Sequence, residues 1–259
     1  MKKYTLFVIL VTLITSCNST EFHDNHVIAH RGAWKDTGLP QNSLASFRAA
    51  AEMGCHGSEC DVWLTADDSL IVYHDATRDG KRIDEMSYEE VISTPLSNGE
   101  LIPTLRQYIV CAKNYPKTKL IIDLKTHKEP ERTVRMFEKV HDLVQASGYE
   151  SSVEYLIGYL PAYEGFASLT DRPVAYLGRY RTECPEMHPD SVAAYGLSHL
   201  DYHYKHYLAH PEWVETFKNS GIHLNAWTVN DEETMKTLLD LGFDYLTTDH
   251  PGLLLSIDK

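Results

Sequence analysis

The sequence predicts an α/β protein folded as one (β/α)8 TIM barrel, with a short insertion after a hairpin on its second strand. Short apolar segments alternate with helical segments along the chain, and strict alternation of this kind implies a parallel sheet. Eight such units in about 230 residues fit a closed barrel better than an open, doubly wound sheet. No G-x-G-x-x-G pattern follows any of the strands, which argues against a dinucleotide-binding fold.

The predicted elements follow one another from residue 27 onward. The eight strands are expected at residues 27–29, 57–62, 119–124, 154–159, 173–177, 199–204, 223–229 and 245–248. The clearest helices between them are expected at residues 43–53, 131–146, 211–219 and 231–241. After the second strand, a polar turn at 66–69 leads into a return strand at 70–73, and the insertion follows at residues 76–101.

The first residues have the composition of an export signal. Lys2 and Lys3 precede an apolar run at residues 6–14 that is too short to span a membrane as a helix. The run ends in Leu-Ile-Thr-Ser-Cys at residues 13–17, which resembles a bacterial lipobox with Cys17 as the lipidated residue. An ordinary secretory signal, cleaved nearby, is the alternative, and it predicts export as well.

These features divide the chain into three parts. Residues 1–16 are expected to be a lipoprotein signal peptide, residues 17–26 a tether, and residues 27–259 the barrel domain. The protein is therefore predicted to lie in the bacterial periplasm or on the cell surface, anchored by a lipid at Cys17. Membrane contact is expected through this anchor only.

The composition argues against nucleic acid as a partner and indicates the state of the cysteines. The net charge is −13, and no basic stripe of the kind that binds nucleic acid is present in the sequence. The cysteines after Cys17 match no zinc-binding spacing, and free thiols are expected rather than disulfides. The oligomeric state is not indicated.

Three acidic residues follow a pattern that predicts a cation site. Glu59 and Asp61 lie two residues apart on the second strand, so their side chains share a face, and Asp123 lies on the third strand. Barrel enzymes build their sites from residues at the carboxyl ends of strands, where these three converge. Buried carboxylates are costly unless neutralised, and carboxylate oxygens are ligands that Ca²⁺ and Mg²⁺ prefer. Asp123 and Lys125 forming a simple ion pair is the alternative.

Two histidines are predicted to reach the same end of the barrel. His30 and Arg31 follow the first strand, and the return strand at 70–73 delivers His74 beside the acidic pair. One imidazole can accept a proton while the other donates one. A cation and fixed positive charges stabilise negative charge that develops on phosphorus oxygens. The combination therefore suits phosphoryl chemistry.

Several ordered motifs together resemble the glycerophosphodiester phosphodiesterase family, which consists of TIM barrels similar to PI-phospholipase C. In chain order the motifs are His30-Arg31-Gly32, Pro40-Gln41-Asn42-Ser43, E-x-D-V-x-L-T-x-D from Glu59, V-x-H-D from Val72, Ile102-Pro103-Thr104-Leu105, Asp123-x-Lys125, Trp227-Thr228-Val229-Asn230 and Thr248-Asp249-x-Pro251. The resemblance runs from about residue 27 to residue 252. It is therefore specific and covers almost the whole predicted barrel.

The resemblance implies metal-dependent hydrolysis of glycerophosphodiesters to glycerol 3-phosphate and an alcohol, by way of a cyclic phosphate. It implies one divalent cation, Ca²⁺ or Mg²⁺. It implies that His30 and His74 are the acid/base pair. It also implies that Glu59, Asp61 and Asp123 hold the cation, and that Arg31, Lys125 and Trp227 contact the phosphate or the rest of the substrate. Trp227 is expected to form an apolar wall for the glycerol carbons.

The sequence departs from the family pattern at three places. Gln41 stands where the family usually has Glu, Asp123 also stands where Glu is usual, and the insertion at 76–101 is short. A short insertion predicts a more open mouth. The leaving alcohol therefore stays open: a lysophospholipid, glycerophosphoinositol or a teichoic-acid-like polymer are alternatives to a small glycerophosphodiester. A barrel that binds phosphodiesters without turnover is the alternative from another functional class.

Overall fold

The computed structural model describes residues 21–179 and 185–258. The predicted signal peptide, the lipidation site Cys17 and Cys184 therefore lie outside the described residues. Within them, no helix combines the length and the apolar character that crossing a membrane requires. Cys55, Cys60 and Cys111 are free thiols, as expected.

Eleven strands and eleven α-helices form over the described residues. The strands are β1 (Val27–Ala29), β2 (Gly57–Leu64), β3 (Leu70–Val72), β4 (Thr77–Arg78), β5 (Lys81–Arg82), β6 (Lys119–Leu124), β7 (Val153–Ile157), β8 (Val174–Gly178), β9 (His199–His203), β10 (His223–Trp227) and β11 (Tyr245–Thr248). The helices are α1 (Trp34–Thr37), α2 (Leu44–Met53), α3 (Tyr88–Val91), α4 (Leu105–Ala112), α5 (Pro130–Ser147), α6 (Leu160–Ala167), α7 (Pro189–Ala194), α8 (Tyr204–Ala209), α9 (Pro211–Asn219), α10 (Glu232–Asp240) and α11 (Pro251–Ile257).

Eight of the strands form a closed parallel barrel, which confirms the predicted fold class. The ring runs β1–β2–β6–β7–β8–β9–β10–β11, and it closes because β1 pairs with both β2 and β11. Ile28, for example, is in register with Gly57 on one side and Thr247 on the other. Apolar side chains inside the barrel form a buried cluster of their own, namely Ile28, Ile121, Leu156 and Leu177.

Several strand ends differ from the prediction by one or two residues. β7 ends at Ile157 and not at residue 159, because α6 begins at Leu160 with a proline in its first turn, and proline favours that position of a helix. β10 ends at Trp227 and not at residue 229. The remaining barrel strands lie within two residues of their predicted bounds, so the side chains at their carboxyl ends face the same end of the barrel.

The second strand carries the predicted hairpin. β3 pairs antiparallel with β2, with Trp63 opposite Ile71. The insertion adds the small β4–β5 hairpin, a 3-10 turn and α3, and it packs on this hairpin through a cluster of its own that includes Ile83, Met86 and Val91. This packing holds the end of β3, and hence His74, against the barrel mouth.

The chain enters the barrel from the end opposite the carboxyl ends of the strands. The backbone N–H of His23 donates to the carbonyl of Lys117, which lies just before β6. The ring of Phe22 lies 6.2 Å from that of His56, just before β2. The segment that precedes β1 therefore packs on the amino-terminal face of the barrel.

Candidate active site

All eight side chains predicted to act on substrate or cation line a single cavity at the carboxyl ends of the barrel strands. Its volume is about 630 Å³, which lies within the usual range of small-molecule sites. The predicted residues that line it are His30, Arg31, Glu59, Asp61, His74, Asp123, Lys125 and Trp227. The structure thus brings the predicted set together, whereas the role of each residue stays a prediction.

The three acidic side chains form a buried cluster. Asp61 on β2 is in register with Asp123 on β6, and Glu59 lies two residues before Asp61 on the same face. One oxygen of each of the three carboxylates lies within 4.8 Å of the others, and all three residues are buried. Asp123 Oδ1 is buried without a hydrogen-bond partner among the residues that the structure describes. An all-oxygen set with an unpartnered acceptor fits a hard divalent cation, so these residues can hold a metal ion.

The pKa values of two of these acids move in opposite directions. Burial, followed by the charges of Asp61 and Asp123, raises the pKa of Glu59 well above its usual range. Burial would also raise the pKa of Asp61, but the charge of Lys125 and further positive neighbours outweigh it and hold that pKa well below its usual range. Glu59 thus carries the less compensated negative charge of the pair, which is the charge that a cation would neutralise.

Two positively charged side chains, Lys125 and Arg31, contact the acidic cluster. Lys125 Nζ contacts both Asp61 Oδ1 and Asp123 Oδ2, so the expected ion pair is present within the site itself. Arg31 Nε lies 3.4 Å from Asp61 Oδ2, and its backbone N–H donates to Glu59 Oε2 at 2.9 Å. The φ of Arg31 is +58°, a left-handed conformation that is uncommon for a residue with a side chain.

The loop before α2 completes this arrangement. Gln41 Oε1 accepts a 2.7 Å hydrogen bond from Arg31 Nη1. Gln41, which stands where the family usually has Glu, therefore binds the guanidinium through a neutral acceptor. Asn42 Nδ2 donates to Asp61 Oδ2 at 2.7 Å, and Asn42 Oδ1 accepts from the backbone N–H of Asp61 at 3.2 Å. Ser43 then caps α2 by accepting from the backbone N–H of Ser46, which fixes the loop.

His30 is oriented by a buried carboxylate. Its Nδ1 lies 2.7 Å from Asp249 Oδ1, which leaves Nε2 available to a substrate. Asp249 Oδ2 also accepts from Lys35 Nζ at 2.6 Å and from Asn230 Nδ2 at 2.8 Å. Burial lowers the pKa of His30, partly opposed by the bond to Asp249. Burial alone would raise the pKa of Asp249, but the bonds from His30 and Lys35 prevail and hold it well below its usual range.

His74 reaches the cavity from the end of β3. The backbone N–H of Tyr73 donates to the carbonyl of Asp61, and the carbonyl of His74 accepts from Trp63 Nε1 at 3.2 Å. Its Nδ1 lies 2.7 Å from Oδ1 of Asp75, an exposed partner. Burial lowers the pKa of His74, and the charge of Asp61 opposes this.

Trp227 lines the cavity from the end of β10, next to other cavity residues that the sequence analysis did not identify. Its Nε1 donates to the carbonyl of Asp201 at 3.2 Å, and the ring of His203 packs edge-on against it with centroids 5.5 Å apart. Asp201 and His203 on β9 and Arg179 after β8 also line the cavity. The alternation of side chains along β9 places Asp201 and His203 on one face, which was a usable signal, but no short motif marks these residues.

Comparison with known proteins is consistent with this geometry. Residues 30–253 match the model of the glycerophosphoryl diester phosphodiesterase family. The chain belongs to this family. It is thus an enzyme of the phosphoric diester hydrolase class, and its family hydrolyses glycerophosphodiesters.

Individual proteins resemble this chain over most of its length. A glycerophosphodiester phosphodiesterase from Parabacteroides distasonis is 39% identical with a TM-score of 0.84, over 91% of this chain and 97% of that one. One from Caldanaerobacter subterraneus is 28% identical over 253 residues, which cover 89% of this chain and 96% of the relative. An Oleispira antarctica phosphodiesterase, solved with the product sn-glycerol-3-phosphate, shares the fold at 21% identity and a TM-score of 0.77, over 89% of this chain and 95% of that one.

Proposed function

We propose that this protein hydrolyses glycerophosphodiesters to glycerol 3-phosphate and an alcohol, with a divalent cation and two histidines as acid and base. The observation that carries the proposal is the meeting of His30, His74 and the buried acidic cluster in one cavity. Family membership supports the reaction, and the unpartnered oxygen of Asp123 supports the cation.

Glu59, Asp61 and Asp123 would hold the cation, and their oxygen ligands favour Ca²⁺ or Mg²⁺. When bound, such an ion supplies Lewis-acid polarisation of a phosphoryl oxygen and orients the substrate. Asp123 is one methylene shorter than the Glu that is usual in the family, so the choice between the two ions is a property to measure for this chain.

His30 would act as the base of the first step. It takes the proton of the glycerol 2-hydroxyl, whose oxygen attacks phosphorus while the bond to the alcohol oxygen breaks. His74 donates the proton that the departing alcohol needs, and a cyclic phosphate remains. In the second step His74 takes a proton from water, the hydroxyl opens the ring, and His30 returns its proton to the glycerol oxygen. We assign the first base to His30 because Asp249, 2.7 Å from its Nδ1, stabilises the imidazolium that forms.

Arg31, Lys125 and Trp227 would bind the substrate. Arg31 and Lys125 lie against the acidic cluster and supply positive charge where the phosphate would lie. The ring of Trp227 lines the cavity and offers an apolar surface to the glycerol carbons. A cavity of about 630 Å³ also admits larger alcohols, so glycerophosphoinositol or a lysophospholipid headgroup is the second candidate substrate.

The same protein is proposed to be exported. A positive start, a short apolar run and a lipobox ending at Cys17 support a signal peptide at residues 1–16, a lipid on Cys17 and a tether up to residue 26 before the barrel domain at 27–259. Expression with a labelled fatty acid tests this. Label should enter the wild-type protein and be absent from Cys17→Ala, and label in both proteins would refute the anchor.

The activity is tested on mature protein stripped of metal. Release of glycerol 3-phosphate from glycerophosphocholine and glycerophosphoethanolamine is followed with Ca²⁺, Mg²⁺ or chelator. We expect cation-dependent release, reduced about 10²- to 10⁴-fold in His30→Ala and abolished in Glu59→Gln. His223→Ala, which changes an exposed histidine at the start of β10 on the opposite face of the barrel, is the matched control. Release that persists in chelator, or in Glu59→Gln, would contradict the proposal.

A further inference from the structure

Arg179 is a third positively charged side chain in the cavity, besides Arg31 and Lys125. It belongs to none of the sequence motifs and has no role in the proposed reaction. It follows β8 directly, and β8 is the fifth strand of the ring counted from β1, so Arg179 lies across the barrel mouth from His30. Its side chain lines the cavity and is 33% exposed. A cation in this position faces the space in which the substrate must lie.

The other two positively charged side chains of the cavity already contact protein oxygens at close range. Lys125 is 7% exposed, and its ammonium is shared between Asp61 and Asp123. The Arg31 guanidinium donates to Gln41 through Nη1, and its Nε lies 3.4 Å from Asp61 Oδ2, although that Nε, like Arg179 Nε, makes no hydrogen bond within the described residues. Part of the positive charge of both groups is therefore offset by the acidic cluster before a phosphate binds.

The contact of Arg179 with the acidic cluster is longer than that of Lys125. Its one polar contact with the described part of the chain joins Nη2 to Asp123 Oδ2 at 3.5 Å, the outer limit of a hydrogen bond, and that oxygen already contacts Lys125. Its Nε is buried and has no hydrogen-bond partner within residues 21–179 and 185–258. A buried donor without a partner is unfavourable unless a ligand supplies the acceptor. The guanidinium carries five donors in a planar fork that matches two oxygens of a phosphate.

We propose that Arg179 is a phosphate-binding residue of this enzyme, which donates to non-bridging oxygens of the diester and of the monoester product. Arg179 would act beside Arg31 and Lys125, of which Lys125 also balances the charges of Asp61 and Asp123. The inference rests on the proposed function for the identity of the phosphate. The competing explanation is that Arg179 only balances Asp123, but Lys125 already contacts the same Asp123 oxygen.

Binding of the product separates these explanations. Glycerol 3-phosphate is titrated into wild-type protein, Arg179→Gln and Arg179→Lys in the presence of Ca²⁺, with tryptophan fluorescence or calorimetry as the readout. Loss of charge-assisted hydrogen bonds predicts a dissociation constant about 10- to 100-fold higher for the Gln variant. The Lys variant keeps the charge but not the fork, so its constant should lie between the two. Arg106→Gln, an exposed substitution on α4, is the matched control.

The outcomes are distinct from those that test the activity. Unchanged affinity of Arg179→Gln for glycerol 3-phosphate, with or without a changed affinity for Ca²⁺, would overturn the inference and leave the hydrolase proposal standing. Absence of product binding to the wild type would overturn it as well. If the wild-type protein hydrolyses no glycerophosphodiester, but the Gln variant binds glycerol 3-phosphate more weakly, the proposed function fails and the phosphate-binding role of Arg179 holds.

Discussion

The pair formed by His30 and Asp249 makes a quantitative prediction for Asp249→Asn. The carboxylate accepts from three donors at once, which are His30 Nδ1, Lys35 Nζ and Asn230 Nδ2. A carboxamide has one accepting oxygen. If that oxygen faces His30, its NH₂ group meets the donors of Lys35 and Asn230. If the amide turns over, its NH₂ group faces His30 Nδ1, and the ring must carry its proton on Nε2, where the base is needed.

The magnitude follows from the bond that is lost. Asp249 is 8% exposed, so its hydrogen bond to His30 is weakly screened. A charge-assisted hydrogen bond contributes about 1.5–3 kcal/mol, and about 1.36 kcal/mol corresponds to a tenfold change in rate. We therefore expect kcat to fall about 10- to 150-fold. The Lys35 pair is not added to this, because Lys35 is 35% exposed and solvent weakens its contribution.

The assay is steady-state release of glycerol 3-phosphate, and two other His–Asp pairs serve as comparisons. Asp258→Asn changes a pair of the same 2.7 Å length at His26, on the opposite end of the barrel, and should leave kcat unchanged. Asp75→Asn changes the more exposed pair at His74 and should cost less than about tenfold. An Asp249→Asn enzyme within twofold of the wild type would refute the orienting role of Asp249.

Thermal unfolding gives a second readout for the same variant. The pKa of Asp249 is lower in the folded protein than the value of about 3.9 usual for Asp. The carboxylate therefore stabilises the fold fully above that value, and this contribution is lost as the pH falls toward the folded pKa. The difference in Tm between wild type and Asp249→Asn should be constant near neutral pH and should narrow below about pH 4. A difference that stays the same in acid would contradict this.

Three further predictions concern the cation, the backbone and the thiols. Asp123→Asn should weaken Ca²⁺ or Mg²⁺ binding at least about tenfold in calorimetry, since it removes one of three anionic ligands; equal affinity would exclude Asp123 as a ligand. Gly32→Ala should lower Tm by several degrees or prevent folding, because φ is +81° and a Cβ would lie 2.5 Å from the Ser46 backbone; an unchanged Tm would contradict that packing. Burial raises the pKa of Cys55 to about 12, so Cys55 should resist alkylation at pH 8 in the native protein, whereas the partly exposed Cys111 reacts first. The reverse order, followed by mass spectrometry, would show that Cys55 is accessible.

The sequence was informative wherever function follows from local periodicity. The spacing of two residues placed Glu59 with Asp61 and Asp123 with Lys125, and β strands preserve that relation in any context. The hairpin was predictable for a similar reason, because the polar turn at 66–69 separates two alternating segments. A hairpin of fixed register then had to return His74 to the side of Asp61.

Long-range partners were only partly accessible to such reasoning: the sequence suggests that Asp249 orients a histidine or caps a helix, but does not decide between these roles or name the histidine. Asp249 lies 219 residues from His30, and the barrel alone brings β11 beside β1. Arg179 directly follows β8, with no motif at the turn, and its significance depends on which donors of Arg31 and Lys125 are already engaged. That is a question of individual hydrogen bonds, which composition and spacing do not determine. The sequence predicts which strand ends meet, but not which side chains remain without a partner there.

The entry of the chain on the amino-terminal face has a consequence for how the enzyme would sit at a membrane. With a lipid on Cys17, as proposed, only four residues separate it from Phe22 on that face, and the five Cα–Cα steps between them span at most about 18 Å. The amino-terminal face of the barrel would then lie toward the bilayer, and the cavity at the other end would open away from it, into the surrounding water. Such an enzyme would meet diffusing headgroup esters and would be sterically remote from lipids of its own leaflet. Liposomes carrying the anchored enzyme and lysophosphatidylcholine test this orientation, because hydrolysis of that lipid as fast as of soluble glycerophosphocholine would rule it out.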